Sequence, residues 1–377
     1  MKVRKPWAIL IAAVILAATV TGCATPGGAS SQPTQTPPVS NPPQTDNTTE
    51  KADSSTYTFT DSVGRQVVLP KDIERIAPSG SLAQIVLFTL CPDKIVGLAN
   101  SFTDDQLQYM DPKYGDLPVF GDFYADTLNL ETVMQADPQV IIDIGQTMPS
   151  EADDMDSVQA KTGIPAIFIN MDMDTILQAY ETLGGVTGET EQAGKLTDYI
   201  GATLSDAKQK AASIPDADRV KVYYGQDDGL TGIVNGTIHS DVIDMAGGIN
   251  VVDVDESVKG GAASVSMEQL MLWQPDAILF APGSIYGDVG TRSEWSGLGA
   301  VKDGKYYEIP FGPYNWMGRP PSVNRIIGVK WLGNLLYPDV FNYDMRAETK
   351  TFYKLFYGCD VTDAQITALL ANSTFKQ

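Results

Sequence analysis

The chain has 377 residues, with 26 lysines and arginines against 47 aspartates and glutamates, for a formal charge of −21. That acidity makes nucleic acid and anionic bilayer surfaces poor partners, because both reward clustered positive charge. A single histidine and three cysteines, with no CxxC pair, give no zinc cluster and little general-base chemistry.

At the N-terminus Lys2, Arg4 and Lys5 precede an apolar run from Trp7 to Val20. A basic start, an apolar stretch and small residues before a cut predict a secretory leader over 1–22, too short to read as a membrane span. Val20-Thr21-Gly22-Cys23 resembles the bacterial lipobox, which implies acylation of Cys23 and a lipid-anchored protein outside the cytoplasm. That means the outer face in a Gram-positive host and the periplasm in a Gram-negative one. Residues 23–56 are rich in Pro, Thr, Ser, Gln and Asn and poor in large apolar side chains, so a disordered tether is expected there. From Tyr57 onward roughly 320 residues remain, which suits two lobes better than one core. Cys91 and Cys359 both lie in apolar settings, compatible with two buried thiols or with a pair.

Tyr57 to Pro70 alternates apolar and polar residues around Asp61–Gly64, the pattern of a β-hairpin. A strand at Arg75–Ala77, the small-residue turn Pro78-Ser79-Gly80-Ser81 and an apolar helix follow. Further strands are expected at Ile95–Leu98 and from Pro118. Asn129–Gln135 reads as a helix ending at Asp137-Pro138, before the continuous apolar strand Val140–Ile142. Ile164–Ile169 repeats such a strand, and Ile176–Leu183 is helical. Continuous apolar strands alternating with helices predict a parallel sheet covered on both faces.

Glu189 to Ile214 carries Ala193, Leu196, Ile200, Leu204, Ala207, Ala211 and Ile214 at intervals of three and four. This predicts one amphipathic helix about 35 to 40 Å long, with Thr190 able to cap it and Pro215 just beyond. After it the alternation restarts: a strand at Val220–Tyr224, a helix over His239–Ala246 and a turn into a strand at 247–251. Ser264–Phe280 then matches Asn129–Ile142 in kind, with Glu131 and Glu268 each seven positions before a proline and an apolar strand. The expected architecture is therefore α/β: two Rossmann-like lobes with mainly parallel sheets, at 57–188 and 215–377, joined by one rigid helix at 189–214, with a ligand cleft between them.

With the lipobox, the hairpin, the two Glu-helix-Pro-strand units and Asp244-Met245-Ala246-Gly247-Gly248-Ile249-Asn250, the chain resembles the substrate-binding proteins of ABC importers. The resemblance is to the class linked by a single helix, which serves iron–siderophore, haem and cobalamin uptake. It implies a non-enzymatic binding lipoprotein, a monomer whose partners are a permease and its ATPase. It also implies that Glu131 and Glu268 dock one per lobe on permease arginines. Carboxylate–guanidinium pairing is bidentate and directional, which suits that task.

Ligand is expected at the carboxyl ends of the strands. Those ends point to Ser81, Phe123, Gln146, Tyr286 and the aromatic stretch Phe311 to Arg319, where Tyr314, Trp316 and Arg319 offer flat faces and a charge. Pro320-Pro321 would open the helix that runs to Leu336. His239 reads as a capping or solvated residue; with haem as ligand, His239 or Met317 would be the axial candidates. No resident cofactor or metal is expected. A ferric siderophore is the leading ligand, with haem or a corrinoid, and then molybdate or tungstate, as alternatives. A surface sensor or adhesin, or a secreted enzyme, stands as the reading from another class. The chain shows no GxSxG elbow, P-loop or GxGxxG after a strand.

Overall fold

A computed structural model describes residues 55–254 and 260–374. The expected leader, Cys23 and nearly all of the tether lie outside the described residues. The chain opens with an antiparallel hairpin, β1 (Thr56–Thr60) and β2 (Gln66–Pro70). In the N-terminal half β3 (Ile76–Pro78), β4 (Val140–Gly145) and β5 (Ala166–Asn170) form a parallel sheet in the order β3-β4-β5. Its helices are α1 (Ser81–Leu90), α2 (Asp104–Leu107), α3 (Leu130–Gln135), α4 (Glu151–Thr162) and α5 (Ile176–Thr187). The strands expected at Ile95–Leu98 and Pro118 join only through single parallel bridges, Ile76 to Ile95 and Leu98 to Val119. Pro118 has no N–H to donate, so its contribution is a carbonyl that accepts from the Leu98 amide at 2.8 Å.

The long helix α6 spans Thr190–Ala212. Thr190 is its first residue and not its cap, since the N-cap position falls on Glu189, whose carboxylate lies 3.4 Å from Lys94. Beyond it come β6 (Lys221–Gln226), β7 (Thr231–Ile233), α7 (Asp241–Met245), β8 (Ile249–Asn250), β9 (Ala262–Ser264), α8 (Met267–Trp273), β10 (Ala277–Phe280), α9 (Tyr286–Val289), α10 (Gly299–Lys302) and β11 (Tyr306–Glu308). Strands β11, β10, β6 and β8 run parallel, while β7 and β9 add an antiparallel edge. Asn250, buried at the end of β8, donates to the Ile233 carbonyl at 2.9 Å and so ties β8 to β7. The chain closes with α11 (Arg325–Leu336), α12 (Pro338–Phe341), α13 (Met345–Tyr357) and α14 (Asp363–Leu370). Helix α11 starts four residues later than Pro320-Pro321 suggests. A turn comes first, in which the Arg325 amide reaches the Ser322 carbonyl at 3.2 Å.

The continuous apolar strands have a simple cause. Alternate residues of each sheet point to opposite faces, and both faces are covered. Ile142, Ile144, Ile167 and Ile169 on one sheet, and Val222, Tyr224 and Leu279 on the other, face one shared core with Leu196 and Ile200 of α6, Trp331 of α11 and Phe356 of α13. The opposite faces close separate clusters, around Ile141 and Phe168 in the first half and around Ile278, Phe280 and Trp295 in the second. Cys91 is buried and Cys359 half-buried, and both are free thiols; burial pushes the Cys91 thiol up to about 12.

Candidate functional site

The two sheets bring their carboxyl ends toward one cleft. On the first side β3 runs through Ser79-Gly80 into α1. The Ser81 amide and hydroxyl donate to Asp122 at 2.7 and 2.5 Å, and the Ser81 hydroxyl in turn accepts from the Asn100 amide at 2.8 Å. Gln84, one turn along α1, accepts from the Asn100 backbone at 3.0 Å and donates to its carbonyl at 3.2 Å. The facing wall is the loop after β11. Asn324 holds it with an amide bond to the Tyr314 carbonyl at 2.8 Å, and the Tyr353 hydroxyl donates to the Gly312 carbonyl. Helix α11 crosses close beneath: a Cβ at Gly328 would lie 1.8 Å from the Trp316 carbonyl oxygen, so only glycine fits.

Between these walls lies a cavity of about 280 Å³ lined by Ser81, Gln84, Asn100, Phe311, Tyr314 and Pro320, among others. Phe311, 42 % exposed, is one of the lining residues. The Tyr314 hydroxyl is buried beside the Gln84 side chain without a well-formed hydrogen bond to it; burial raises its pKa and Gln84 offsets part of that. An unsatisfied buried hydroxyl costs about 1–3 kcal/mol, so one on a cavity wall is a ready donor for a guest. A larger cavity, about 470 Å³, is lined by Leu204 and Lys208 of α6 together with Met173, Arg219 and Met245. The smaller one is where strand carboxyl ends and convergent polar groups meet.

Of the residues expected from the sequence, Ser81 and Tyr314 meet in this cavity. Arg319 flanks it through Pro320, but its guanidinium donates to Gln226 at 3.1 Å and to the Gly260 carbonyl. Trp316 is wholly buried, its indole donating to the Tyr353 hydroxyl at 3.3 Å, so it supports the wall from behind and offers no face to a ligand. Phe123 lines a separate hollow of about 240 Å³ with Leu128, Leu130 and Val158. Gln146 is exposed beyond β4. Tyr286 packs against Phe280 and Tyr306 at 6.5 and 5.8 Å, in the second half's own cluster. Met317 is wholly buried, and His239, which precedes α7, is half-buried with Nδ1 on the Gly318 carbonyl; neither lines the cavity. Gln84 and Asn100 escaped the sequence reading. The signal was there in Gln84, a lone amide within the apolar run of α1.

Beside the cleft wall sits a buried acid pair. Asp143, at the end of β4, accepts from the Ser79 hydroxyl, from the Ile144 amide at 3.0 Å and from the Tyr124 hydroxyl at 2.9 Å. The same tyrosine reaches Glu151, at the start of α4, at 3.2 Å. Burial, reinforced by the hydrogen bond and charge of Asp143, pushes the Glu151 carboxyl up to about 8. At neutral pH Glu151 therefore holds its proton.

Glu131 and Glu268 occupy equivalent sites. Each is the second residue of its helix, α3 capped by Asn129 and α8 by Ser266, and each is exposed. Each helix ends in a left-handed residue directly before proline, Asp137 (φ 49°) and Gln274 (φ 42°). Neither glutamate has an ion pair among the described residues.

The periplasmic binding protein family model matches residues 79–313, more than half the chain and every strand of both sheets but β3. The chain belongs to the periplasmic binding protein family. It is similar to an uncharacterized ABC transporter substrate-binding lipoprotein of Bacillus subtilis, 23 % identical over 304 residues, 78 % of this chain and 89 % of that protein. An ABC transporter solute binding protein from Sulfurospirillum deleyianum is 29 % identical with a TM-score of 0.77, covering 83 % of this chain and 99 % of that one. A periplasmic solute binding protein from Veillonella parvula is 30 % identical with a TM-score of 0.70, covering 84 % of this chain and 98 % of that one. The molybdate-bound binding protein MolA of Haemophilus influenzae shares the fold, at a TM-score of 0.67 and 21 % identity over 81 % of this chain and 99 % of that one. The protein is thus a non-enzymatic, extracytoplasmic solute-binding component that works with an ABC permease and its ATPase. Among the described residues no helix is long and apolar enough to cross a membrane.

Proposed function

We propose that this binding protein captures a metal chelate, a ferric siderophore first among them, and delivers it to its permease. Cys23 is its lipid anchor, the monomer its working form, and Glu131 and Glu268 its two docking carboxylates. The observation that carries this reading is the open cavity between the two sheets, with Phe311 and Tyr314 as an aromatic wall facing the hydroxyl and amides of Ser81, Gln84 and Asn100. Such a cavity grips one face of a flat, polar-rimmed ligand and leaves the rest in the cleft, as haem or a corrinoid would also allow. Its volume alone would suit a molybdate-sized oxyanion, but no cationic side chain lines it.

The test is calorimetric titration of the mature protein with a ferric trihydroxamate, a ferric catecholate, haem, a corrinoid and molybdate. Phe311→Ala with Tyr314→Phe removes the aromatic edge and the buried hydroxyl and is expected to weaken the chelate that binds by more than about tenfold, roughly 1.4 kcal/mol. Unchanged affinity would show that the ligand sits elsewhere, and binding of molybdate alone would overturn the chelate reading.

A further inference from the structure

Helix α1 points its N-terminus at the cleft, where unpaired backbone N–H groups and the helix dipole ordinarily invite an anion. Here that position is taken from within. The N-cap is Gly80, no acid lies in the first turn, and α1 makes no side-chain cap of its own. The carboxylate of Asp122 supplies one instead, although it lies 41 residues further along the chain. Its two oxygens accept from the Ser81 amide and hydroxyl at 2.7 and 2.5 Å, from the Tyr124 amide at 2.9 Å and from the Ala125 amide at 3.3 Å. Every one of these partners is a donor, so the carboxyl acts on this turn as an acceptor. A Cβ on Gly80 would come within 3.2 Å of that carboxyl, a tight contact.

The remaining charges point the same way. Across Gly80 the Ser79 hydroxyl goes to a second carboxylate, Asp143. Arg319, the cation flanking the cavity on the opposite wall, is committed to Gln226 and the Gly260 carbonyl, and it is absent from the lining. The lining itself presents hydroxyls, amides and an aromatic edge, with the buried Tyr314 hydroxyl lacking a well-formed hydrogen bond.

We propose that Asp122 sets the charge selectivity of the cavity: seated on the N-terminus of α1, it closes the anion-receptive point of that wall, so the site takes chelates without net negative charge and rejects oxyanions. This rests on the proposed function only in placing the ligand in this cavity. Among ferric chelates the consequence is a preference by class. Three hydroxamates neutralise a ferric ion, whereas three catecholates leave the complex trianionic, and the site should favour the neutral kind.

The experiment compares wild type with Asp122→Asn and Asp122→Ser by calorimetry against molybdate and against a neutral ferric trihydroxamate, with a melting curve for each protein. Molybdate should not bind wild type below millimolar concentration. In either variant that melts cooperatively, the ratio of molybdate to trihydroxamate affinity should rise by at least about tenfold, because the helix N-terminus is freed of its charge. Micromolar molybdate binding by wild type, or no gain in a folded variant, overturns the proposal. If neither variant folds, wild type decides: a trihydroxamate bound without molybdate supports the claim, and a trianionic catecholate bound more tightly than the neutral chelate overturns it. Failure of the site placement reads out separately, as unchanged chelate affinity in the Phe311→Ala, Tyr314→Phe protein.

Discussion

Asp143 and Glu151 are two buried acids held by one tyrosine hydroxyl, so the protonation of Glu151 decides how strongly they repel. Glu151 is held well above the ordinary carboxylate range, to about 8, by burial and by Asp143. A group whose native pKa is raised binds its proton more tightly in the folded protein. Its stabilisation is complete at acidic pH and is lost as pH rises through about 8. The melting temperature is therefore expected to fall between about pH 4.5, where the unfolded chain loses this proton, and about pH 8, where the folded one does, and Glu151→Gln should flatten that slope, since an amide keeps the donor and does not ionise. A wild-type profile that is flat across this range would refute the raised Glu151 pKa. Individual side chains were also where the sequence was least legible. Ser81 and Tyr314 could be assigned to the cleft because strand ends and turn residues mark it. Trp316 could not be told from a core residue, because its burial depends on Gly328 admitting α11 against the loop, a contact between distant residues.

At the level of elements the two helices α3 and α8 carry the clearest internal symmetry. Their glutamates share a helix position, their caps do the same work and their last turns end alike in a left-handed residue before proline. Glu131 and Glu268 therefore stand at related points on the two halves, as a two-point dock on the permease requires. Charge reversal, Glu131→Lys with Glu268→Lys, is expected to abolish uptake in cells while leaving ligand affinity in solution within about twofold, since neither residue lines the cavity. Uptake at the wild-type rate would remove them from the docking surface. This repeat was readable because helix, proline and apolar strand leave local signatures. The strands at Ile95 and Pro118 were over-read, since a few apolar residues specify extension without specifying how many ladder bonds form.

For the molecule as a whole, the sequence showed α6 as a covalent strut, and the shared core makes it more than that. Leu196 and Ile200 of α6 lie in one apolar body with residues of both sheets, and α13 packs on both α1 and α6. The ring of Tyr109 lies 5.1 Å from that of Tyr353, and the Gln365 side chain donates to the Gln108 carbonyl at 3.3 Å. A wide hinge would have to break these contacts, so scattering curves of free and ligand-saturated protein should superimpose. A marked compaction on binding would contradict the rigid reading.

The same continuity bears on biogenesis. A protein exported N-terminus first presents β3, α1 and Asn100 outside the cell long before α13 appears. Because α13 closes the core behind α1 and its Tyr353 anchors the cavity loop through Gly312, neither half has a finished interior on its own. The wall of the cavity is therefore complete only once residues beyond 345 are in place. A secretion intermediate stalled before that point should be digested by proteases along its whole length instead of leaving a stable N-terminal fragment.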